Sequence, residues 1–276
     1  MYQKMIDAVR EKKPLVHCIT NYVTVNDVAN MLLACGGTPI MADAIQEAEE
    51  ITNICDGLVI NIGTLNERTI RSMKAAGKQA NKLNHTTVLD PVGAGASTFR
   101  TETTFQLLEE VNFSVIRGNI SEIKTIGSGA GTTQGVDADI RDAVTEENID
   151  TAVSFVQSLS KKTGAVVAVT GEIDLVSNEK TTYIIRNGHP IMSQITGSGC
   201  MLTAVIAAYI AANPDFILEA TAAAVCAIGL SGEIAREKMQ EIQSNERNGT
   251  FRMLFMDAMC NMDGERLKRG AKFEIR

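Results

Sequence analysis

TTVLDPVGAGAS, residues 86–97, decides how this chain is read. Four strand-forming residues run into Asp90, then Pro91, then a Gly-x-Gly turn. A short apolar run closed by an acidic residue and glycines is a buried strand turning a tight corner toward a helix. Comparable runs lie on both sides: PLVHCIT (14–20), LVINIG (58–63), FSVIRG (113–118) and AVVAVTG (165–171). Longer segments with helical spacing separate them. In 64–84 apolar residues recur at Ile70, Met73, Ala76 and Ala80, and in 147–164 at Ile149, Val153, Val156 and Leu159. Near-continuous apolar strands alternating with helices predict an α/β fold, a mostly parallel sheet covered on both faces. After Gly171 the rhythm changes. EIDLVSN (172–178) and TTYIIRNG (181–188) are short β-like runs parted by turn residues, which predicts an antiparallel edge. Helices are expected over 199–212, about 215–240 and about 249–262. No linker or repeat divides the 276 residues, so 1–276 is read as one domain.

Composition narrows the function. Apolar residues make up 45% of the chain, enough for a large core. The formal charge is −7 and no basic run is present, which argues against a nucleic-acid surface though not against one bound nucleotide. The six cysteines form no CxxC pair and mostly lie in apolar runs, which suits reduced thiols in the cytoplasm. The N-terminus carries no signal-peptide pattern. The longest apolar stretch is read as Cys200–Ala212, whose 13 residues fall short of the ~20 a bilayer needs. No P-loop, GxGxxG or HExxH motif is found. His17, inside a strand run, is read as a core histidine.

What carries chemistry is a set of corners at the carboxyl ends of strands, where open α/β sheets bind ligands. They are Asn61–Thr64, Asp90–Ala96, Arg117–Asn119, Thr170-Gly171 and Thr196-Gly197-Ser198-Gly199-Cys200, the last read as following a β-like run. Plain turn geometry uses the same residues. Gathered on one edge they form a site. The small residues at 197–199 let backbone N–H groups converge on an anion at a helix N-terminus. Cys200 in that first turn is either a small hydrophobe or a thiol whose pKa the helix field lowers. Asp90 and Glu122 either serve turn and helix cap or hold Mg²⁺, which takes one or two carboxylates plus phosphate oxygens.

Together these pieces resemble the hydroxyethylthiazole kinases of the ribokinase-like superfamily. The resemblance rests on 14–42 (PLVHCITNYVTVNDVANMLLACGGTPIMA), LVINIGTL (58–65), LDPVGAGAS (89–97), IRGNISEI (116–123), AVTGEIDLV (168–176) and ITGSGCMLT (195–203). It implies a three-layer αβα fold and ATP-dependent phosphorylation of the primary alcohol of 4-methyl-5-(2-hydroxyethyl)thiazole. It implies that Arg117 and Thr170 contact ATP, that Asp90 and Glu122 are the Mg²⁺-side carboxylates, and that Met41, Gly197 and Asn21 contact the thiazole. Cys200 takes the position that most relatives fill with an aspartate base. With ATP in the site, the amides of Gly197, Ser198 and Gly199 are expected to hold the transferred phosphoryl group. The family implies a homotrimer with sites between subunits, so that Met41 serves a neighbour. Ser198 replaces a common alanine. The role of 127–146 is left open. The rival readings are a hydroxymethylpyrimidine kinase, which shares the Gly-x-Gly-Cys loop, a dehydratase repairing hydrated nicotinamide cofactors, and a non-catalytic sensor.

Overall fold

The computed structural model of the protein describes residues 2–129, 143–242 and 247–276. Most of the segment 127–146 therefore lies outside the described residues. The chain begins with α1 (Tyr2–Lys12), β1 (Leu15–Ile19), α2 (Val25–Cys35), β2 (Thr38–Ile40) and α3 (Ala48–Ile54). It continues through β3 (Gly57–Asn61), α4 (Glu67–Leu83), β4 (Thr86–Asp90), α5 (Thr98–Glu110), β5 (Val115–Asn119) and α6 (Ile120–Ser128). Then come α7 (Ile149–Thr163), β6 (Val166–Thr170), β7 (Asp174–Ser177) and β8 (Thr182–Ile185). The last elements are α8 (Ser198–Ala212), α9 (Ile217–Glu241), α10 (Asn248–Cys260), α11 (Gly264–Gly270) and β9 (Phe273–Ile275).

The nine strands among the described residues form one sheet in the order β2-β1-β3-β4-β5-β6-β7-β8-β9. β1 to β6 pair in parallel. β7, β8 and β9 continue the sheet antiparallel, as the change of rhythm after Gly171 predicts. The register sets Asn61 beside Asp90 and Asn119 beside Thr170. The strand-end residues thus meet at one edge.

Strand alternation divides the core by size. Val59, Val88, Val115, Val166 and Ala168 face one cluster with α1, α2, α8 and α9. Leu58, Ile60, Leu89, Ile116 and Val167 face the other, with α4 to α7. Small strand residues meet helices lined with small residues. Ala204, Ala207 and Ala208 on α8, and Ala220, Ala223 and Ala227 on α9, are all fully buried. α8 is buried nearly all round, which is why its sequence shows no polar stripe.

Two expectations are refined by the structure. The β-like run ahead of Thr196 is β8, but it does not lead straight into the corner; a short 3-10 helix, Pro190–Gln194, stands between them. Pro190 has no N–H to give a sheet, and the His189 side chain accepts the N–H of Ile191 to start the turn. Second, Cys200–Ala212 is not the only candidate that helix length and hydropathy raise. Among the described residues α9 is the one helix long and apolar enough to cross a membrane, and most of it is buried within the protein. His17 is a core residue as expected. It is fully buried, with Nδ1 bonded to Thr52 Oγ1 at 2.9 Å and Nε2 to the Ala42 carbonyl at 2.7 Å.

Candidate active site

Five corners meet at the carboxyl edge of β3 to β6. Arg100, on α5, binds two of them together. It donates to the carbonyls of Ile62 at 2.7 Å, Val92 at 2.8 Å and Gly63 at 2.8 Å. Gly93 and Gly95 lie at φ +74° and +92°, a region that side chains disfavour.

Glu122 sits in the first turn of α6 and closes a capping box with Asn119, whose side chain accepts the Glu122 N–H. One carboxylate oxygen accepts the Asn119 N–H at 2.8 Å, and the other accepts the Gly93 N–H at 2.9 Å. Its carboxyl pKa is pushed up by burial and then by the nearby Asp90 carboxylate. The cap role and the place at the site edge therefore coexist.

Asp90 is fully buried at the end of β4. Its Oδ2 accepts from Asn61 Nδ2 at 2.7 Å and from Thr203 Oγ1, on α8, at 2.8 Å. Its Oδ1 has no hydrogen-bond partner, and Arg117 Nη1 lies 3.5 Å away. Burial raises the Asp90 pKa, and Arg117 opposes that shift. Arg117 donates from Nη2 to Thr170 Oγ1 at 2.6 Å. Asp174, at the start of β7, accepts the Gly171 N–H at 2.8 Å and so fixes the turn after Thr170. Burial drives its pKa from 3.8 up to about 7.

The N-terminus of α8 completes the site. Gly197 caps it at φ +86°, and the first bond of the helix runs from the Met201 N–H to the Gly197 carbonyl. The N–H groups of Ser198, Gly199 and Cys200 precede that bond and point out of the helix. Cys200 Sγ is approached by Asn21 Nδ2 and Asn61 Nδ2, both at 3.3 Å. Asn21 Nδ2 also reaches Asn61 Oδ1 at 3.0 Å, while its own Oδ1 accepts from the N–H and hydroxyl of Thr24.

Of the two readings of Cys200, its surroundings oppose the lowered thiol. Burial and then the Asp90 carboxylate push the thiol up, and donors from Thr24, Asn61 and Asn21 only oppose the shift. The helix field meets a side chain that has lost most of its water and faces a negative neighbour.

The structure thus brings Asn21, Asp90, Arg117, Glu122, Thr170, Gly197, Ser198, Gly199 and Cys200 to one edge. Met41 follows β2 on the outer side of the sheet, half-buried on the same apolar cluster as Cys200 and outside the hydrogen-bond network. Sequence reasoning missed Arg100, Asp174 and Thr203 as site residues, and named Asn61 only as the start of a strand-end corner, with no partner. Thr203 had a signal, a hydroxyl alone on an apolar face four residues after Gly199. Asn61 ends an otherwise apolar buried strand. Among the described residues no group of three or more His, Cys, Asp and Glu side chains is placed to hold a metal. The pair Asp90 and Glu122 has the donor number of a Mg²⁺ site that takes its other ligands from phosphate and water, and the buried Asp90 Oδ1, which accepts no hydrogen bond, fits that use.

The family model described as the Hydroxyethylthiazole kinase family matches residues 6–265. The chain is 56% identical over 274 residues to the hydroxyethylthiazole kinase of Clostridium acetobutylicum, with 99% of each chain covered. Its structure is similar to that of the hydroxyethylthiazole kinase protein from Pyrococcus horikoshii, with TM-score 0.86 and 34% identity, covering 100% of this chain and 98% of that one. A pyridoxal kinase from Staphylococcus aureus, solved with AMP-PCP and pyridoxal, shares the fold at TM-score 0.57 and 14% identity, over 80% of this chain and 88% of that one.

Proposed function

The chain belongs to the hydroxyethylthiazole kinase family, and on that premise we propose that it transfers the γ-phosphoryl group of ATP to the primary alcohol of 4-methyl-5-(2-hydroxyethyl)thiazole. The observation that carries the reading at the site is the buried Asp90 Oδ1, which accepts no hydrogen bond and faces Arg117 Nη1 at 3.5 Å, beside the open N-terminus of α8.

Arg117 and Thr170 bind ATP as a pair, the threonine hydroxyl holding the guanidinium in direction. Asp90 and Glu122 would hold Mg²⁺, which when bound would neutralise phosphate oxygens. The N–H groups of Gly197, Ser198 and Gly199 receive the phosphoryl oxygens, adding the positive end of the helix to the field. Asn21, Gly197 and Met41 take the thiazole, Met41 through a neighbouring subunit in a homotrimer. Exposed Tyr22 and Val23, next to Asn21, suit such an interface.

Phosphoryl transfer passes through a loose transition state, so the alcohol needs little deprotonation early. Cys200 receives the proton late, as thiolate. Its raised pKa leaves a minority of the sulfur in that form at neutral pH. The contribution is therefore at the low end of the ~10²–10⁴-fold that general bases supply. The whole chain, 1–276, is one kinase domain, since its sheet starts at Leu15 and ends at Ile275. Free cysteines throughout suit the cytoplasm.

The test is ADP release with ATP and Mg²⁺, using the thiazole alcohol, hydroxymethylpyrimidine or no acceptor. Release with the thiazole alone is expected. Release with the pyrimidine alone would keep the phosphate site and overturn the acceptor. Nucleotide turnover coupled to hydrated NADH instead would mark a repair dehydratase.

A further inference from the structure

We propose that Asn61 is a positioning residue that ties Cys200 and Asp90 into one unit, setting the direction of the sulfur and choosing which Asp90 oxygen is presented. This rests on the reading of Cys200 as the proton acceptor.

The orientation of the Asn61 amide is fixed from the backbone. Its Oδ1 accepts the Gly63 N–H at 2.9 Å and Asn21 Nδ2 at 3.0 Å. Its Nδ2 therefore turns toward Asp90 Oδ2 at 2.7 Å and Cys200 Sγ at 3.3 Å. Both amide hydrogens and both oxygen lone pairs are used, and the residue is 1% exposed. The β3–β4 register sets Asn61 directly beside Asp90.

Two consequences follow from that valence count. First, Asp90 Oδ2 is occupied by Asn61 and Thr203, so Oδ1 is the oxygen left toward Arg117. Second, Sγ receives two amide N–H groups, from Asn61 and Asn21, which favour the anionic sulfur and hold it in one direction. A carboxamide can do both. A carboxylate at 61 would keep the acceptor role toward Gly63 and Asn21, but would set a second negative charge against Asp90 and offer Sγ no hydrogen. A site polar on every side is costly to half-satisfy.

Asn61→Asp and Asn61→Ala, each alone and each with Cys200→Ala, test the assignment, with thermal melts to show which variants fold. If one does not fold, the other carries the test. kcat is expected to fall at least ~10-fold in Asn61→Asp, with KM for the alcohol changed by less than about threefold. In the Cys200→Ala background the same substitution is expected to cost less by the share that runs through the sulfur, one of its two partners, while the share through Asp90 remains. A residue that only shapes the Gly63 turn would tolerate Asp, and kcat within about threefold of wild type in a folded Asn61→Asp would overturn the proposal. Strictly multiplicative losses alongside an impaired Cys200→Ala would overturn it too, leaving the proton-acceptor reading in place. Wild-type kcat in Cys200→Ala would overturn that reading instead, and with it the sulfur's share of this proposal.

Discussion

Gly199 makes room for Arg117: a β-carbon at 199 would stand 2.6 Å from both terminal nitrogens of the guanidinium. The arginine cannot simply swing aside, because Thr170 and Asp90 hold it. Gly199→Ala is therefore expected to cut kcat/KM for ATP at least ~10-fold through the displaced guanidinium. Its melting temperature should stay within a few degrees of wild type. A variant with unchanged ATP kinetics would remove Arg117 from the nucleotide site.

Gly197 is tight for a different reason. Its φ of +86° disfavours any side chain, and a β-carbon there would come within 2.5 Å of the Thr24 methyl. Gly197→Ala is expected to cost about 1–3 kcal/mol, read by chemical denaturation. Adding Thr24→Ser should recover the part due to the methyl and leave the part due to φ and to the Thr24 β-carbon, which would stand 2.9 Å away. Full recovery would show that backbone strain contributes nothing here.

Burial and Asp90 hold the Cys200 thiol above its ordinary range. The thiolate fraction is then small at neutral pH and grows as pH rises. kcat is expected to climb from about pH 7 to about pH 9 without levelling. Cys200→Ala should lose roughly 10²-fold at the alkaline end and less at the acidic end, flattening the profile. A parallel profile in the variant would place the titrating group elsewhere.

Magnesium dependence separates the two carboxylates. Asp90→Asn is expected to raise the Mg²⁺ concentration for half-maximal rate at least ~10-fold and to abolish the extra melting temperature that Mg²⁺ with ATP gives the wild type. Glu122→Gln leaves one oxygen for two backbone N–H groups. It should shift the Mg²⁺ titration less and cost about 1 kcal/mol of stability. Identical Mg²⁺ titrations for wild type and both variants would sink the metal assignment.

Asp174 gives a stability prediction. Its pKa rises from 3.8 in the ordinary state to about 7 in the fold. Between those values the folded chain binds the proton and the unfolded chain does not. Stability is then lost as pH rises through that window, up to about 4 kcal/mol once both states are ionised. Asp174→Asn keeps an oxygen for the Gly171 N–H and removes the charge. It should melt higher than wild type at about pH 8, with the gap shrinking to well under half at about pH 5. A gap independent of pH would show that Asp174 is ionised in the fold at all of these values.

The long parallel strands were legible because burial on both faces makes them continuous apolar runs. β2 and β9 were not. Each has three residues, β2 with Pro39 at its centre and β9 with exposed Phe273 and Ile275. Nothing local distinguishes such edges from loop. The corners were legible through glycine and acidic residues, but what joins them was not. Asn61, Thr203 and Arg100 act through partners 29, 113 and up to 38 positions away, distances no local pattern reports. The two readings of Cys200 stayed open in the sequence for a related reason. A helix N-terminus is visible in sequence, whereas lost solvent and a carboxylate from another strand are not.

The bond from Thr203 to Asp90 also orders events in time. Every parallel strand is complete by Thr170, whereas the helix bearing Gly199, Cys200 and Thr203 begins at Ser198, and β9 closes the sheet only at Phe273–Ile275. Ribosome-bound chains halted at increasing length are expected to resist protease before they retain nucleotide. A chain leaving the ribosome lays down its scaffold first and receives its chemistry afterwards, so an unfinished enzyme has little means of squandering ATP.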